Sequence, residues 1–418
     1  MSKLDKLLRE LCPDGVEYKR FDEVCTLNAR IGWQRLTKAE YMSKGDYLLI
    51  TGTDFTETHE IDYSTCVYVT EERYKQDSKI QLKNGDILIT KDGTLGKVAQ
   101  VKGLEMPATL NGGVFVVRCK DGSLENRFIL HYLLSNHFQS VVEQQKTGST
   151  ISHLTQTLFS RLMIPIPPLE IQREIVRILD NFTELTAELT AELTARKTQY
   201  SFYRSRLLTF DANVEWKTVD EIAEVTDYVA NGSFAALKEN VNYKHTPDYA
   251  ILVRTTDLVN GFDEENLVYI DKHAYNYLSK SKLYGGEIII NNIGAGVGTT
   301  FLCPCLDTYM SLAPNSIMVK TNNNKFYYYW LNSKEGQNAI RKIVSQGSLP
   351  KFNKTGFRSI RLPVPPLDVQ NRIVNVLDNF EKICSDLNIG LPAEIEARQK
   401  QYEYYRDKLL TFKEVAAT

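Results

Sequence analysis

Long apolar runs, paired cysteines and a charge imbalance are all missing from this chain of 418 residues. No stretch of about 18 apolar residues occurs, so no membrane-spanning helix is predicted. The seven cysteines are odd in number, run from Cys12 to Cys384 and form no C-x-x-C pair, which argues against a disulfide framework. Cys303-Pro304-Cys305 has no second pair or nearby histidine to close a zinc site, and the six histidines show no ligand spacing. The opening MSKLDKLLRELCPDG is charged and lacks an apolar core and cleavage site. No secretory signal and a reduced, cytoplasmic setting are therefore expected. A net charge of −2 supplies no global field to drive the chain onto nucleic acid, so local basic loops or a partner would have to do so. The ordinary hydrophobic and charged fractions exclude a disordered or collagen-like chain. What remains is a soluble globular composition, 43% hydrophobic and 24% charged, long enough for two or three domains.

The chain repeats itself. Residues 165–182 read PIPPLEIQREIVRILDNF and residues 363–380 read PVPPLDVQNRIVNVLDNF, the same segment 198 positions later. The same spacing relates Val16-Glu17-Tyr18-Lys19 to Val214-Glu215-Trp216-Lys217. KTQYSFYRSRLLTF (197–210) returns as KQYEYYRDKLLTF (400–412). Between these matches the halves diverge but keep an outline. Each has an apolar stretch ending in Thr-Asp, at Asp54 and Asp257, then a Gly-acid-apolar strand, GDILIT or GEIIIN, and a glycine-rich turn. Each half also carries a Gly-Ser loop, KTGST (146–150) or SQGSLPK (345–351). The predicted order is a variable domain at 1–164, a helical region at 165–210, a second variable domain at 211–362 and a second helical region at 363–418.

The variable domains read as mixed α/β. Short β-rich runs at 67–70, 87–90, 113–117, 288–291 and 316–319 are bounded by turn residues. One helical stretch is predicted late in each half, at 126–143 and 325–343. In the constant segments the prolines disfavour helix before them, so helix starts near Leu169 and Leu367. Apolar positions at 171, 175, 178, 182, 185, 189, 193, 200, 203 and 207 make a heptad seam with one stutter. Two such helices, each exposing a seam, are expected to pack on each other. The first carries TAELTAEL (186–193), while the second has NIGLPAEIEARQ, where Gly390 and Pro392 predict a break. If the first helix sets the distance between the domains, one more Thr-Ala-Glu-Leu would add about 6 Å and about 40°.

The opening LCPDGVEYK, the two PxPPLxxQ segments, the TAEL repeat and GLPAEIEARQKQYEYYRDKLLTF together resemble the specificity subunit of type I restriction–modification systems. The resemblance covers essentially the whole chain. It implies an α+β, pseudo-two-fold duplication with two target-recognition domains separated by two long helices forming an antiparallel coiled coil. It also implies a non-catalytic chain that reads a split double-stranded DNA site, one domain per half-site. Two methyltransferase subunits would dock on the helices, and restriction subunits would join them. S-adenosylmethionine would then belong to the methyltransferase partner, ATP and magnesium to the restriction partner, and no cofactor to this chain. The residues agree on the negative: the Asn/Asp-Pro-Pro-aromatic motif of amino-methyltransferases is absent, as is G-x-x-x-x-G-K-[ST]. Ile293-Gly294-Ala295-Gly296-Val297-Gly298 follows an apolar strand, but TTFLCPC after it cannot open the helix a dinucleotide loop needs. A hairpin turn is the expectation there.

DNA contact needs donors at base edges and phosphates, supplied by Arg, Lys, Asn, Gln and backbone N–H groups on loops. The first-domain candidates are Arg30, Gly32, Trp33, Gln34 and Arg35, then Lys91, Gly93 and Lys97, then Lys146, Gly148, Ser149 and Thr150. The second-domain candidates are Asn231, Gly232, Ser233 and Lys238, then Arg254, Asn291 and Asn292, and finally Gln346, Gly347, Ser348 and Lys351. Tyr200, Tyr203, Tyr402, Tyr404 and Tyr405 lie on the helix seam and suit packing or subunit docking better than base stacking. The competing function is a coiled-coil scaffold whose variable domains bind proteins.

Overall fold

The computed structural model describes residues 3–32, 35–144, 154–345, 347–386 and 389–415. The chain divides into two units that do not follow the order of the sequence: Met1–Glu192 with Leu391–Thr418, and Leu193–Gly390. The second spans 198 residues, one repeat length. Each unit therefore contains one variable domain, the helix that follows it, and a helix from the other half of the chain.

In the first unit a four-stranded antiparallel sheet runs in the order Cys25–Asn28, Val114–Cys119, Ile87–Thr90, Val98–Gln100. A second sheet orders Val67–Tyr68, Leu48–Ile50 and Ala108–Leu110, its last pair parallel. The Ile87–Thr90 run is continuously buried because its two faces meet different layers. Ile87 and Ile89 join Phe115, Val117 and the helices, whereas Leu88 joins Val114, Val116, Leu48 and Ile50 under the second sheet. The second unit repeats this plan. Its sheets order Ala223–Asp227, Ser316–Thr321, Ile288–Asn291, Thr300–Leu302 and Tyr269–Ile270, Ala250–Val253, Tyr309–Leu312, Lys282–Leu283. Ile288 and Ile290 face the helices while Ile289 faces Ile251 and Leu312. A two-stranded ribbon closes each domain with the same register, Tyr18 opposite Pro165 and Trp216 opposite Pro363.

The helical stretches at 126–143 and 325–343 are each two helices, not one. Asn126–Leu134 gives way to Asn136–Gln144, and Asn324–Leu331 to Lys334–Ile343. The cause is a serine at the same place in both. Ser135 Oγ accepts the Phe138 N–H at 3.3 Å and Ser333 Oγ accepts the Gly336 N–H at 3.1 Å, each starting the second helix as an N-cap.

The long helix spans Leu169–Leu207 and contributes to both units. Its first turns are buried at Ile171, Gln172, Glu174, Ile175 and Leu179, and beyond Leu179 none of its side chains is fully buried. The heptad seam placed Ile178 where Leu179 is buried; the domain covers this end as well as the partner helix, which shifts the buried face. The glutamine of PxPPLxxQ also points inward. Gln172 Nε2 donates to Ser123 O and Pro167 O, both at 2.7 Å, and Gln370 Nε2 to Pro365 O at 2.9 Å, so this residue fastens the proline segment to the helix. In the second half the helix does break: Leu367–Ser385 ends and Leu391–Leu409 begins around Gly390 and Pro392.

Helices pair within each unit. In the first, Tyr402 and Leu410 share a core with Ile171, Ile175 and Leu179, and Phe182 stacks on Tyr405 at 5.4 Å. In the second, Cys384 faces Lys197 and Arg196, while Tyr200 and Tyr203 stack on Phe380 at 5.8 and 5.7 Å. In the second unit positions fall along one helix as they rise along the other, which is the antiparallel arrangement.

Candidate nucleic-acid interface

Each unit builds its site around the hairpin of its larger sheet. In the first, Thr90 ties the turn at residues 91–97 shut. Its N–H donates to Lys97 O at 2.9 Å, its Oγ1 accepts the Lys97 N–H at 2.9 Å, and its hydroxyl donates to Thr94 O. The turn at 51–53 lies against this hairpin because residue 52 is glycine: a Cβ there would sit 2.5 Å from Thr90 Cγ2. Buried Asp54 closes that second turn by accepting the Thr51 N–H at 2.7 Å. Asp257 does the same for the Arg254 N–H at 2.8 Å, which explains the Thr-Asp ending of both apolar stretches.

These turns, with residues 30–32, 35–38 and 111–113, wall a groove of about 1100 Å³. Arg30, Arg35, Lys38, Lys91 and Lys97 line it with one acid, Asp92. The Lys91 ammonium lies over the Phe115 ring, 5.2 Å from its centroid. The structure thus brings together Arg30, Gly32, Arg35, Lys91, Gly93 and Lys97 of the predicted set.

Arg30 also lines the groove, from within its wall. It is 3% exposed, and its guanidinium donates to Leu110 O at 3.0 Å, Gln76 Oε1 at 3.0 Å and Thr109 Oγ1 at 3.2 Å. Burial, with Arg73 beside it, lowers its pKa from the ordinary arginine value. It cross-braces the groove wall. Trp33, Gln34, Lys146, Gly148, Ser149 and Thr150 lie outside the described residues, although the Leu154 N–H bonds Lys91 O at 3.0 Å and so brings the chain after residue 153 to the groove.

In the second unit, hydrogen bonds identify the counterparts. Asn292 stands where Lys91 does: its N–H meets Asn315 O at 3.1 Å and its carbonyl the Phe352 N–H at 3.0 Å, as Lys91 meets Gly113 and Leu154. Thr299 stands where Lys97 does, its carbonyl accepting the Asn291 N–H at 3.0 Å. The matching groove, about 230 Å³, is lined by Thr255, Thr256, Asn260, Asn291, Thr299 and Phe301 among others, with no cation in its lining. The run 293–298 is a hairpin turn between antiparallel strands, as expected. It adjoins the second predicted loop, since the Gly294 N–H donates to Pro350 O at 2.9 Å and Ile293 bridges Lys351. Gly347, Ser348 and Lys351 are exposed beside it, and Gln346 lies outside the described residues.

Several second-domain candidates are committed elsewhere. Asn231 Nδ2 donates to Tyr228 O and Ser281 Oγ, and its Oδ1 accepts the Lys280 N–H at 2.9 Å, so it staples two turns. Ser233 caps the Phe234–Asn240 helix, on which Lys238 is exposed outside the groove lining. Gly232 admits Tyr277, whose hydroxyl would lie 2.6 Å from a Cβ. The Arg254 guanidinium is held by Asp257 and Asn266 O, and the Asn292 amide faces Phe352 O at 3.3 Å. Lys38, Tyr41, Thr51, Thr53 and Asn111 in the first groove, and Thr255, Thr256, Asn260 and Thr299 in the second, were missed. The only sequence signal for any of them was the Thr-Asp ending.

The fold and site define an internally duplicated, two-domain α+β binding protein whose domains present equivalent grooves of different chemistry. The family model described as the type I restriction modification DNA specificity domain matches twice, at residues 13–196 and 213–397, and the chain belongs to this family. It is 29% identical over 429 residues to the EcoR124I/EcoR124II specificity subunit of Escherichia coli, covering 99% of this chain and 97% of that one. It is 31% identical over 317 residues to a putative type I specificity subunit of Haemophilus influenzae, covering 72% and 76%. Among solved structures, one of a type I R-M system described for its complex assembly and conformational transition superposes with a TM-score of 0.56 at 15% identity, covering 95% of this chain and 98% of that one. The S subunit from M. genitalium gives 0.51 at 16% identity, covering 95% and 96%. These likenesses establish the fold.

Proposed function

We propose that this chain reads a split, non-palindromic double-stranded DNA site, one half-site per unit, for a type I restriction–modification complex. The observation that carries the reading is the groove itself: the same hairpin and turns build it twice, while its lining differs between the units. Two equivalent frames with different donors would read two different half-sites.

The helices support two copies of one methyltransferase partner. Each unit exposes an edge-to-face aromatic pair at the same place, Phe202–Tyr203 at 5.5 Å and Tyr404–Tyr405 at 5.3 Å. Exposure matches too, 58% and 37% against 61% and 39%. Large exposed aromatic rings are the side chains that anchor protein interfaces. Restriction subunits would join that assembly. S-adenosylmethionine, ATP and magnesium would be brought by the partners, leaving this chain to recognise and to hold.

Methylome sequencing of a host carrying this gene and its neighbours tests the reading. One split, asymmetric motif that vanishes on deletion of this gene is the expected result. A palindromic motif, or one unaffected by the deletion, would contradict it.

A further inference from the structure

Gln139 and Gln337 sit 198 residues apart, one on the Asn136–Gln144 helix and one on Lys334–Ile343. Each spends both amide protons in the same way. Gln139 Nε2 donates to Gly96 O at 2.9 Å and Leu133 O at 2.6 Å. Gln337 Nε2 donates to Gly298 O at 3.1 Å and Leu331 O at 2.9 Å.

The two acceptors explain what the bond does. Leu133 and Leu331 lie in the last turns of the preceding helices, where carbonyls have no partner within the helix. Gly96 and Gly298 close the groove hairpins with φ of +79° and +89°. Their own N–H groups donate to Thr90 O at 3.0 Å and Asn291 O at 2.7 Å. Each glycine is thus held on one side by the strand and on the other by the glutamine. A Cβ at residue 96 would come within 2.8 Å of Gln139 Oε1, and one at residue 298 within 3.0 Å of Ile340 Cγ2.

The hairpins differ in their side chains. One runs Asp92-Gly93-Thr94-Leu95 and is flanked by Lys91 and Lys97; the other runs Ile293-Gly294-Ala295-Gly296-Val297 and is flanked by Asn292 and Thr299. The backbone bonds and the glutamine anchor are shared. We propose that Gln139 and Gln337 are positioning residues that fix the two hairpins in the geometry that reads DNA, whatever side chains each hairpin carries. This rests on the DNA-reading role of the grooves argued above. A loop held in one conformation before binding loses less entropy on binding and tolerates wrong partners less.

The test uses the co-expressed complex carrying Gln139→Met, which keeps length and loses both donors, and separately Gln337→Met. Two quantities are measured: hydrogen exchange of the hairpin amides in the free complex, and affinity for duplexes bearing the methylated motif or single-base changes in either half-site. Gln139→Met is expected to speed exchange at residues 91–97 and to lower discrimination about five- to tenfold at one half-site alone, the loss expected of one removed hydrogen bond. Gln337→Met should do the same at the other hairpin and the other half-site. Unchanged hairpin exchange overturns the proposal, as does an equal loss at both half-sites, which general destabilisation would cause. If the unmodified complex discriminates at neither half-site, the DNA reading itself fails, and hairpin exchange still decides the anchoring. Should Gln139→Met not fold, Gln337→Met carries the same outcomes.

Discussion

His131 Nε2 lies 2.8 Å from Asp180 Oδ1, and the pair locks the first domain to its helix. The other ring nitrogen, Nδ1, is 3.0 Å from the Tyr402 hydroxyl. A neutral imidazole satisfies both, donating to the carboxylate and accepting from the phenol. In the second unit, 198 residues on, Tyr329 takes the place of His131 and donates to Asp378 at 2.6 Å, while Lys325 and Asp378 replace Arg127 and Asp180. The same joint is built once with a buried histidine and once with a tyrosine.

That difference gives a pH prediction. His131 is 1% exposed, and burial pushes its pKa down, helped by Arg127 and opposed by Asp180. A lowered histidine pKa means the unfolded chain binds the proton more readily than the folded one. Its stabilisation is therefore present above the unfolded value, about 6.5, and is lost as pH falls below it. His59, also lowered by burial, acts in the same direction. His131→Tyr, copying the sister joint, should flatten the fall in Tm between about pH 6.5 and 5 and leave the share due to His59. An unchanged slope would rule out His131 as its source.

Gly336 offers a prediction whose sign is decisive. It lies inside a helix, where replacing glycine by alanine ordinarily stabilises by about 0.5–1 kcal/mol. Here a Cβ would stand 2.2 Å from Trp330 O and 2.6 Å from Leu331 Cα. Gly336→Ala should instead destabilise by about 1–3 kcal/mol, the usual cost of overpacking, seen as a lower denaturation midpoint.

The grooves should differ in their response to salt. Lys97 is exposed in a groove with four other cations, whereas Thr299 holds its place in the second. Lys97→Ala should weaken cognate and unrelated duplexes alike and reduce the slope of log affinity against log salt by about 1. Thr299→Ala should leave that slope unchanged.

The exposed aromatic pairs predict stoichiometry. Native mass spectrometry of the co-expressed complex should show two methyltransferase subunits per chain. Phe202→Ala or Tyr404→Ala alone should leave one subunit bound preferentially, and both together should release the second. Retention of two subunits by the double variant would remove these rings from the interface.

The fold was largely legible because the chain repeats. The 198-residue spacing announced two units, the prolines before Leu169 and Leu367 fixed the helix starts, and Gly390-Leu391-Pro392 marked the break. Runs such as 87–90 and 288–291 matched their strands because unbroken β-branched and leucine residues suit a sheet buried on both faces. The split at Ser135 and Ser333 escaped notice because a serine within a helical pattern reads as tolerated until its hydroxyl is seen capping the next helix. The site was less legible. Arg30 and Asn231 look like free donors in sequence, and only the packing shows that each is used up inside its own domain. Thr53, Asn111 and Thr299 carry no distinguishing pattern; their place in the groove comes from turns set by Asp54, Gly52 and the hairpin. Gln139 and Gln337 were invisible for the same reason, being ordinary polar residues on amphipathic helices.

Domain exchange decides whether each unit reads its own half-site. Replacing residues 25–160 by the corresponding domain of another family member, then sequencing the methylated sites, tests it most directly. The expected result is a new motif in which one half-site changes and the other stays as it was. A motif in which both half-sites change would contradict it.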